Sequence, residues 1–544
     1  MSRQALLAVP WDLVVIGGGI TGAGILLEAA RRSLRVLLVE QRDFAWGTSS
    51  RSSKLVHGGL RYLKEGQFGL TRESVHEREH LLKQAAGLVE PQSFAFGDYV
   101  GRKPGKRAFL VGLAIYDRMA GQRGRHYFER DEFVAMAPNV ATDGLQGGMV
   151  YTDAKTDDAR LVLRVLQEAR QHGGVAVNYM AVESLLREGG EVCGVRLRDG
   201  LSGEQHEVRA RLVISATGAW ADRLRVPAAD DQRGPGEHGA AARRGGAGMP
   251  GAAAGHRLRP LRGSHLVLPA WRLPLAQAIS LMHPADGRPV FAYPWEGVTL
   301  VGTTDVDHAD DLSREAAITR AECDYLMAAL HAQFPQLNLT YDDIIATYAG
   351  VRPVIDSGKA DPSKETRDHA LWLENGLLTV TGGKLTTFRV IALDALKLAA
   401  TQLQDLPALR GQLAPLPVFA VSPPLRYTPE LPAGQAQRLQ GRYGALAQAL
   451  VDAAQPGELE NIPGTETIWA QLRWAARKED VCKLEDLLLR RTRIGIQLRG
   501  GGIDILPRIR SICQPELGWS DQRWADEQAD YLALWAKHYN LPKQ

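Results

Sequence analysis

The sequence predicts an α/β protein in three parts: a parallel βαβ domain assembled from separate segments, a β-rich insertion, and an all-α tail. Three observations predict it. First, Asp12-Leu-Val-Val-Ile16 runs into the glycine turn Gly17-Gly-Gly-Ile-Thr-Gly22, an Ala/Leu/Arg helix follows, and Arg35-Val-Leu-Leu-Val-Glu40 closes a βαβ unit. Second, two later strand-to-glycine turns, Leu212-Val-Ile-Ser-Ala-Thr-Gly218 and Leu377-Leu-Thr-Val-Thr-Gly-Gly383, are expected to return to the same sheet, the latter opening a helix to about Ala400. Third, beyond Leu406 several Pro-rich turns give way to helical patterns such as Ile468-Trp-Ala-Gln-Leu-Arg-Trp-Ala-Ala and Lys483-Leu-Glu-Asp-Leu-Leu-Leu-Arg-Arg.

A chain of 544 residues exceeds what one hydrophobic core organises, so two or three domains are expected. The nucleotide-type domain is assigned to 11–90, 151–228 and 376–404, and a helical domain to 405–544. Between them, 91–150 and 256–375 carry short β-like runs such as Ser264-His-Leu-Val-Leu268 and Val298-Thr-Leu-Val-Gly302, and are assigned to substrate binding. Segment 229–255 falls to Gly, Ala, Pro, Arg and Asp; with almost no large apolar residue it cannot offset chain entropy by burial, and it is read as a disordered insertion.

Hydrophobic residues at 45% and charged residues at 23% are ordinary globular values, and a net charge of +3 argues against nucleic acid as a partner. Cys193, Cys323, Cys482 and Cys513 form no CxxC pair, so neither a disulfide framework nor a metal site is expected and a reducing compartment fits. No apolar run is long enough to span a bilayer, and the apolar stretch near the N-terminus is too short for a signal peptide.

Gly17, Gly19 and Gly22 follow a strand and open a helix, where a GxGxxG turn lets backbone approach a pyrophosphate at the helix N-terminus. Glu40, at the end of the next strand, is placed to bind a ribose hydroxyl. This reads an ADP moiety but does not separate NAD from FAD. The next segment, Thr48-Ser49-Ser50-Arg51-Ser52-Ser53-Lys54-Leu55-Val56-His57-Gly58-Gly59-Leu60-Arg61-Tyr62-Leu63, crowds hydroxyls where phosphate and ribityl groups of FAD would need partners. Together with Ala216-Thr217-Gly218 and Gly382-Gly383-Lys384-Leu385-Thr386-Thr387, it resembles the glycine oxidase and D-amino-acid oxidase class of flavoproteins, whose FAD domain is Rossmann-like.

Within that class the resemblance narrows to the FAD-dependent glycerol-3-phosphate dehydrogenases. It rests on Ser52-Ser-Lys-Leu-Val-His-Gly-Gly-Leu-Arg-Tyr-Leu63, Gly263-Ser264-His265, Gly302-Thr303-Thr304-Asp305, Gly350-Val351-Arg352-Pro353, Thr366-Arg367-Asp368 and the Gly-Gly-Lys-Leu-Thr-Thr turn, in family order over most of 11–400. Arg477-Lys-Glu-Asp480 and Leu487-Leu-Leu-Arg-Arg-Thr-Arg493 resemble the family's C-terminal domain more loosely.

The resemblance implies oxidation of sn-glycerol 3-phosphate to dihydroxyacetone phosphate in glycerol catabolism, with electrons passed from FAD to a membrane quinone. It implies Arg61, Tyr62, Arg352, Arg367 and Lys384 around the substrate, and forked arginine donors suit phosphate. It extends cofactor contact to Thr48, Ser49, Ser50, Ser53, Thr217, Gly218, Gly383, Leu385 and Thr386. Removing the C2 hydroxyl proton calls for a base, and His57 and His265 lie in matched motifs. His265 is the preferred base, with His57 holding the flavin. Lys384 at a helix start and the glycine turn supply positive character for charge developing on the flavin.

Three other readings stay open: an oxidase of the same substrate using oxygen, an amine or amino-acid oxidase, and a flavin-bearing scaffold. A homodimer is compatible with the sequence. No cysteine lies in the glycine or serine motifs, so FAD is expected to be non-covalent. Finally, Arg102-Lys103-Pro-Gly-Lys106-Arg107-Ala-Phe109-Leu110-Val111-Gly-Leu113-Ala-Ile115-Tyr116 sets basic residues beside an apolar run, as a peripheral contact with an anionic cytoplasmic membrane face would require.

Overall fold

The computed structural model describes residues 9–543 apart from 65, 103–104, 122–123, 225–257, 357, 359–364, 366–367 and 412. The expected insertion at 229–255 lies outside the described residues, as do Lys103, Thr366 and Arg367.

Among the described residues the strands sort into two large sheets. The first has the order His369–Glu374, Leu377–Gly382, Gln205–Ser215, Trp11–Ile16, Val36–Val39, Val175–Val177. Both later strand-to-glycine segments return to it: Trp11 pairs with Ala210 and Val213 with Leu377, in parallel. Its central strand, Trp11–Ile16, is buried along its whole length. That is why it reads as a continuous apolar run rather than an alternating one. The helix Ile20–Ala30 packs between Asp158–Gln171 and Phe388–Ala399 on one face.

The second sheet has ten strands and is mostly antiparallel, with Leu258–Pro269 held between Val298–Gly302 and Ala346–Ile355 over long registers. Three strands depart from their expected segments: Leu145–Thr156 stays in the second sheet through Thr156, past the expected bound at 150. Leu55–Val56, which directly follows the serine-rich loop, pairs with Lys155 and Ala154 in the second sheet, and His369–Glu374 pairs with Leu377–Gly382 in the first. The serine-rich loop is therefore the first place where the chain passes from one sheet to the other.

The tail is helical, with long elements at Ala433–Tyr443, Trp469–Lys478, Leu506–Leu517 and Asp521–His538. The run expected as one helix from Lys483 breaks instead: a short turn at Leu484–Asp486 continues as a π-helical turn, Leu487–Arg491, and Arg493 then takes a left-handed conformation at φ 65°. All four cysteines are free. Among the described residues no helix is long and apolar enough to cross a membrane, and no cluster of metal-ligating side chains occurs.

Candidate active site

The glycine turn is fixed by contacts that exclude a side chain. Gly17 has φ +112° and its Cβ would stand 2.5 Å from the Ala216 carbonyl oxygen, while a Cβ on Gly22 would overlap the Gly17 carbonyl. These two glycines bring the ends of Trp11–Ile16 and Gln205–Ser215 close to the start of the helix Ile20–Ala30. Gly19 is the N-cap of Ile20–Ala30, so the positive end of that helix opens at the turn. Glu40 closes the opposite wall: its carboxylate accepts from Gly18 N at 2.7 Å and Arg42 N at 2.9 Å, and burial pushes its pKa up.

A cleft runs from this turn. Gly17, Gly19, Glu40, Thr48, Ser49, Thr217, Gly218, Gly383, Lys384 and Leu385 all line it. Ser49 Oγ also accepts from Ile20 N at 3.0 Å, which docks the serine loop onto the helix start. Gly382 and Gly383 both have positive φ, near 75°, and this paired left-handed turn swings the chain back so that Lys384 leads the next helix. The anticipated residues Gly22, Ser50, Ser53, His57 and Thr386 are not among the residues that line the cleft. Thr386 Oγ1 donates to the His57 carbonyl at 3.2 Å, and Ser50 turns its hydroxyl toward the Gly47 carbonyl.

The shape and chemistry of this cleft suit FAD. A helix N-terminus without an acidic first turn meets a wall of hydroxyls and the Glu40 carboxylate, and the cleft continues past Met180, Val182 and Val380 to the cationic Lys384.

At that far end Lys384 is 4.3 Å from the centre of the Tyr62 ring and donates from Nζ to Ser74 Oγ. Burial lowers its pKa to about 8. Burial likewise lowers His57 to about 4, so His57 is neutral at working pH. Arg352 comes from Ala346–Ile355, and its neighbour Pro353, rather than Arg352 itself, lines the cleft. Its guanidinium pairs with Asp305 at 2.9 Å and donates to Thr303 Oγ1 at 3.0 Å, and Asp305 is shared with Arg288 at 3.5 Å. Gly263 leaves room for that seat, since a Cβ there would strike the guanidinium.

His265 sits deeper than the sequence suggested. It is 1% exposed, stacks on Tyr348 with ring centres 4.6 Å apart, and places Nε2 3.0 Å from Ser53 Oγ. Burial and the charge of Arg352 push its pKa well below the ordinary imidazole value, so it is unprotonated. Arg61 lies in the short helix Leu60–Lys64, and Arg367 lies outside the described residues.

Sequence reasoning missed Trp46 and Trp220, which line the cleft with ring centres 6.0 Å apart. Trp220 stands two residues after Gly218 of the Thr217-Gly218 motif and could have been found there. Trp46 precedes the serine run and carries no comparable signal.

The comparisons with known proteins agree with this architecture. Residues 12–389 match the family described as FAD dependent oxidoreductase, and 400–524 match the C-terminal domain of alpha-glycerophosphate oxidase. The chain is thus an FAD-dependent oxidoreductase. A curated relative, the aerobic glycerol-3-phosphate dehydrogenase of Staphylococcus aureus (strain USA300), is 34% identical over 504 residues, covering 89% of this chain and 86% of the relative. The chain belongs to the aerobic, FAD-dependent glycerol-3-phosphate dehydrogenases. Among solved structures, the FAD complex of the glycerol-3-phosphate dehydrogenase from Bacillus halodurans aligns over 98% of this chain and 96% of its own, with TM-score 0.72 at 27% identity. The L-alpha-glycerophosphate oxidase of Mycoplasma pneumoniae, at 17% identity, TM-score 0.54 and coverage of 72% of this chain and 95% of its own, shares the fold.

Proposed function

We propose that this chain oxidises sn-glycerol 3-phosphate at C2 to dihydroxyacetone phosphate and delivers the electrons to a membrane quinone in glycerol catabolism. The observation that carries the substrate reading is the far end of the cleft, where Lys384 and the strand bearing Arg352 converge on the same opening. Two cationic groups beside a nucleotide-type cleft suit a small phosphorylated alcohol better than an amino acid, whose ammonium they would repel.

FAD supplies a two-electron acceptor for the C2 hydrogen. The protein's part is to orient and to take a proton. Arg352, held in one direction by Asp305 and Thr303, grips phosphate oxygens, and Arg61 and Arg367 join it by their positions in the matched motifs. Lys384, leaning on the Tyr62 ring, holds the hydroxyl end. The C2 hydroxyl proton leaves as the hydride leaves and the carbonyl forms. His265, unprotonated and hydrogen-bonded to Ser53, is the base we favour, working through the Ser53 hydroxyl. His57, neutral and tied to the turn by Thr386, steadies the flavin side.

A peripheral membrane position serves the quinone. The helix Lys106–Ala120 buries Leu113 and Tyr116 while Val111 is 61% and Ile115 38% exposed, beside Lys106 and Arg107. A second reading, transfer to oxygen, is favoured by one observation, the match of the helical tail to an oxidase domain. Anaerobic addition of glycerol 3-phosphate to the purified holoprotein should bleach the flavin absorbance. A flavin bleached by glycine or proline but not by glycerol 3-phosphate would refute the substrate, and peroxide formed at full rate without quinone would favour the oxidase.

A further inference from the structure

The cofactor cleft is built by the N-terminal two-thirds of the chain, yet its serine-rich wall is gripped from behind by the helical tail. Arg493 donates from Nη2 to the Ser50 carbonyl at 2.6 Å, and Lys54 donates to the same carbonyl at 3.0 Å. Six residues before Ser49 of this wall, the fully buried Asp43 receives both Arg490, at 2.5 Å, and Arg491, at 2.7 and 2.8 Å. From the chain's last turn, Tyr539 bonds Arg51, whose guanidinium caps the Trp46 carbonyl, and the Tyr539 carbonyl accepts from Thr347 N at 2.7 Å on the strand that carries Arg352.

The local backbone of the tail is bent to make this grip. An α-helical continuation from Leu484 would space successive side chains by about 100° and could not aim three nearby arginines at one wall. The π-helical turn Leu487–Arg491 and the left-handed Arg493, at φ 65°, rotate them into register. A π turn and a left-handed non-glycine residue both cost free energy locally, and such features persist where the surroundings hold them for a purpose.

We propose that Arg490, Arg491 and Arg493 are positioning residues of the cofactor site, so that docking of the helical tail and binding of FAD are thermodynamically coupled. The inference rests on the reading that Thr48 and Ser49 contact FAD. Arg493 and Lys54 together fix the Ser50 carbonyl, which fixes the peptide geometry presenting the Thr48 and Ser49 hydroxyls to the cleft. Linkage is reciprocal: if the docked tail tightens FAD binding, bound FAD must tighten the tail's docking by the same factor.

Two measurements on the full-length protein test this, neither reading activity. FAD is stripped from the holoprotein and its dissociation constant is measured by flavin fluorescence for wild type, Arg493→Gln and Arg477→Ala. Arg477 pairs with Glu516 on the tail's outer surface, so its variant should bind FAD as wild type does. Arg493→Gln should bind about tenfold more weakly, the effect of losing one charge-assisted hydrogen bond behind the wall. As a readout that does not depend on the folding of Arg493→Gln, hydrogen exchange of segment 484–505 is compared in wild-type apoprotein and holoprotein, with slower exchange expected when FAD is bound. Unchanged exchange, or a wild-type dissociation constant in folded Arg493→Gln, overturns the coupling. Gly19→Val separates the two ideas: if it binds FAD normally, the assignment of the cleft itself fails; if it loses FAD while Arg493→Gln keeps it, only the coupling fails.

Discussion

Arg352 shows how one residue's chemistry is prepared by others. A guanidinium seated on Asp305 and Thr303 is held in one orientation, whereas lysine offers a point charge on a flexible stem. Hydrogen bonds to charged groups contribute about 1.5–3 kcal/mol each, so Arg352→Lys should lower kcat/KM for glycerol 3-phosphate by about one to two orders of magnitude, part of it in kcat. Steady-state kinetics decide it, and a loss confined to KM would keep the phosphate contact but reject an orienting role. Lys384 adds a pH dependence. With its pKa lowered to about 8 by burial, the amine is charged below that pH and loses its proton above it. If the charge holds substrate, kcat/KM should fall as pH rises through about 8 in wild type, and Lys384→Arg should abolish that alkaline limb. A limb that survives the arginine substitution would assign it to another group. Both residues are singled out in the sequence because they sit in short matched motifs. Their pairings are not: Asp305 is 47 positions from Arg352, and Ser74 is 310 from Lys384.

At the scale of elements, the glycine turn and the serine loop form one wall. A Cβ on Gly19 would lie 3.1 Å from Ser49 Oγ, so valine there both fills the approach to a pyrophosphate and pushes the serine loop off the helix start. Gly19→Val should therefore purify as folded, colourless protein, judged by circular dichroism and the flavin absorbance. In wild type the flavin should be released by acid precipitation, and colour retained in the pellet would point to a covalent link. The βαβ unit was readable because its strands, turn and helix are contiguous and their periods change within about thirty residues. The break in the tail helix was not. Lys483 to Arg491 reads as a continuous helical pattern, and the π turn and left-handed Arg493 arise from burying three arginines against Asp43, Ser50 and Asp158, carried by parts of the chain more than 300 residues away.

The whole molecule presents its membrane question on the helix Lys106–Ala120. Exposed Val111 and Ile115 beside basic residues favour an anionic interface, where each Lys or Arg contributes about 1 kcal/mol. The protein should co-sediment with anionic liposomes at low salt and not with neutral ones, and Val111→Asp should weaken that binding while leaving the flavin spectrum intact. Equal sedimentation with and without liposomes would remove the membrane proposal and with it the main physical support for a quinone acceptor.

The sequence by itself determined the glycine-turn βαβ unit, the return of two distant strands to its sheet, the helical tail, the flavin class and the substrate family. Each is carried by local periodicity or by short motifs whose residues act side by side. Tertiary structure alone decided which side chains meet: that His265 is enclosed behind Ser53, that Asp305 seats Arg352, that Trp46 faces Trp220, and that the tail's arginines reach the serine loop. Those contacts join residues remote in the chain, and they form because buried charges and donors must find partners once water is excluded. Nothing in the spacing of a sequence specifies which remote partner that will be.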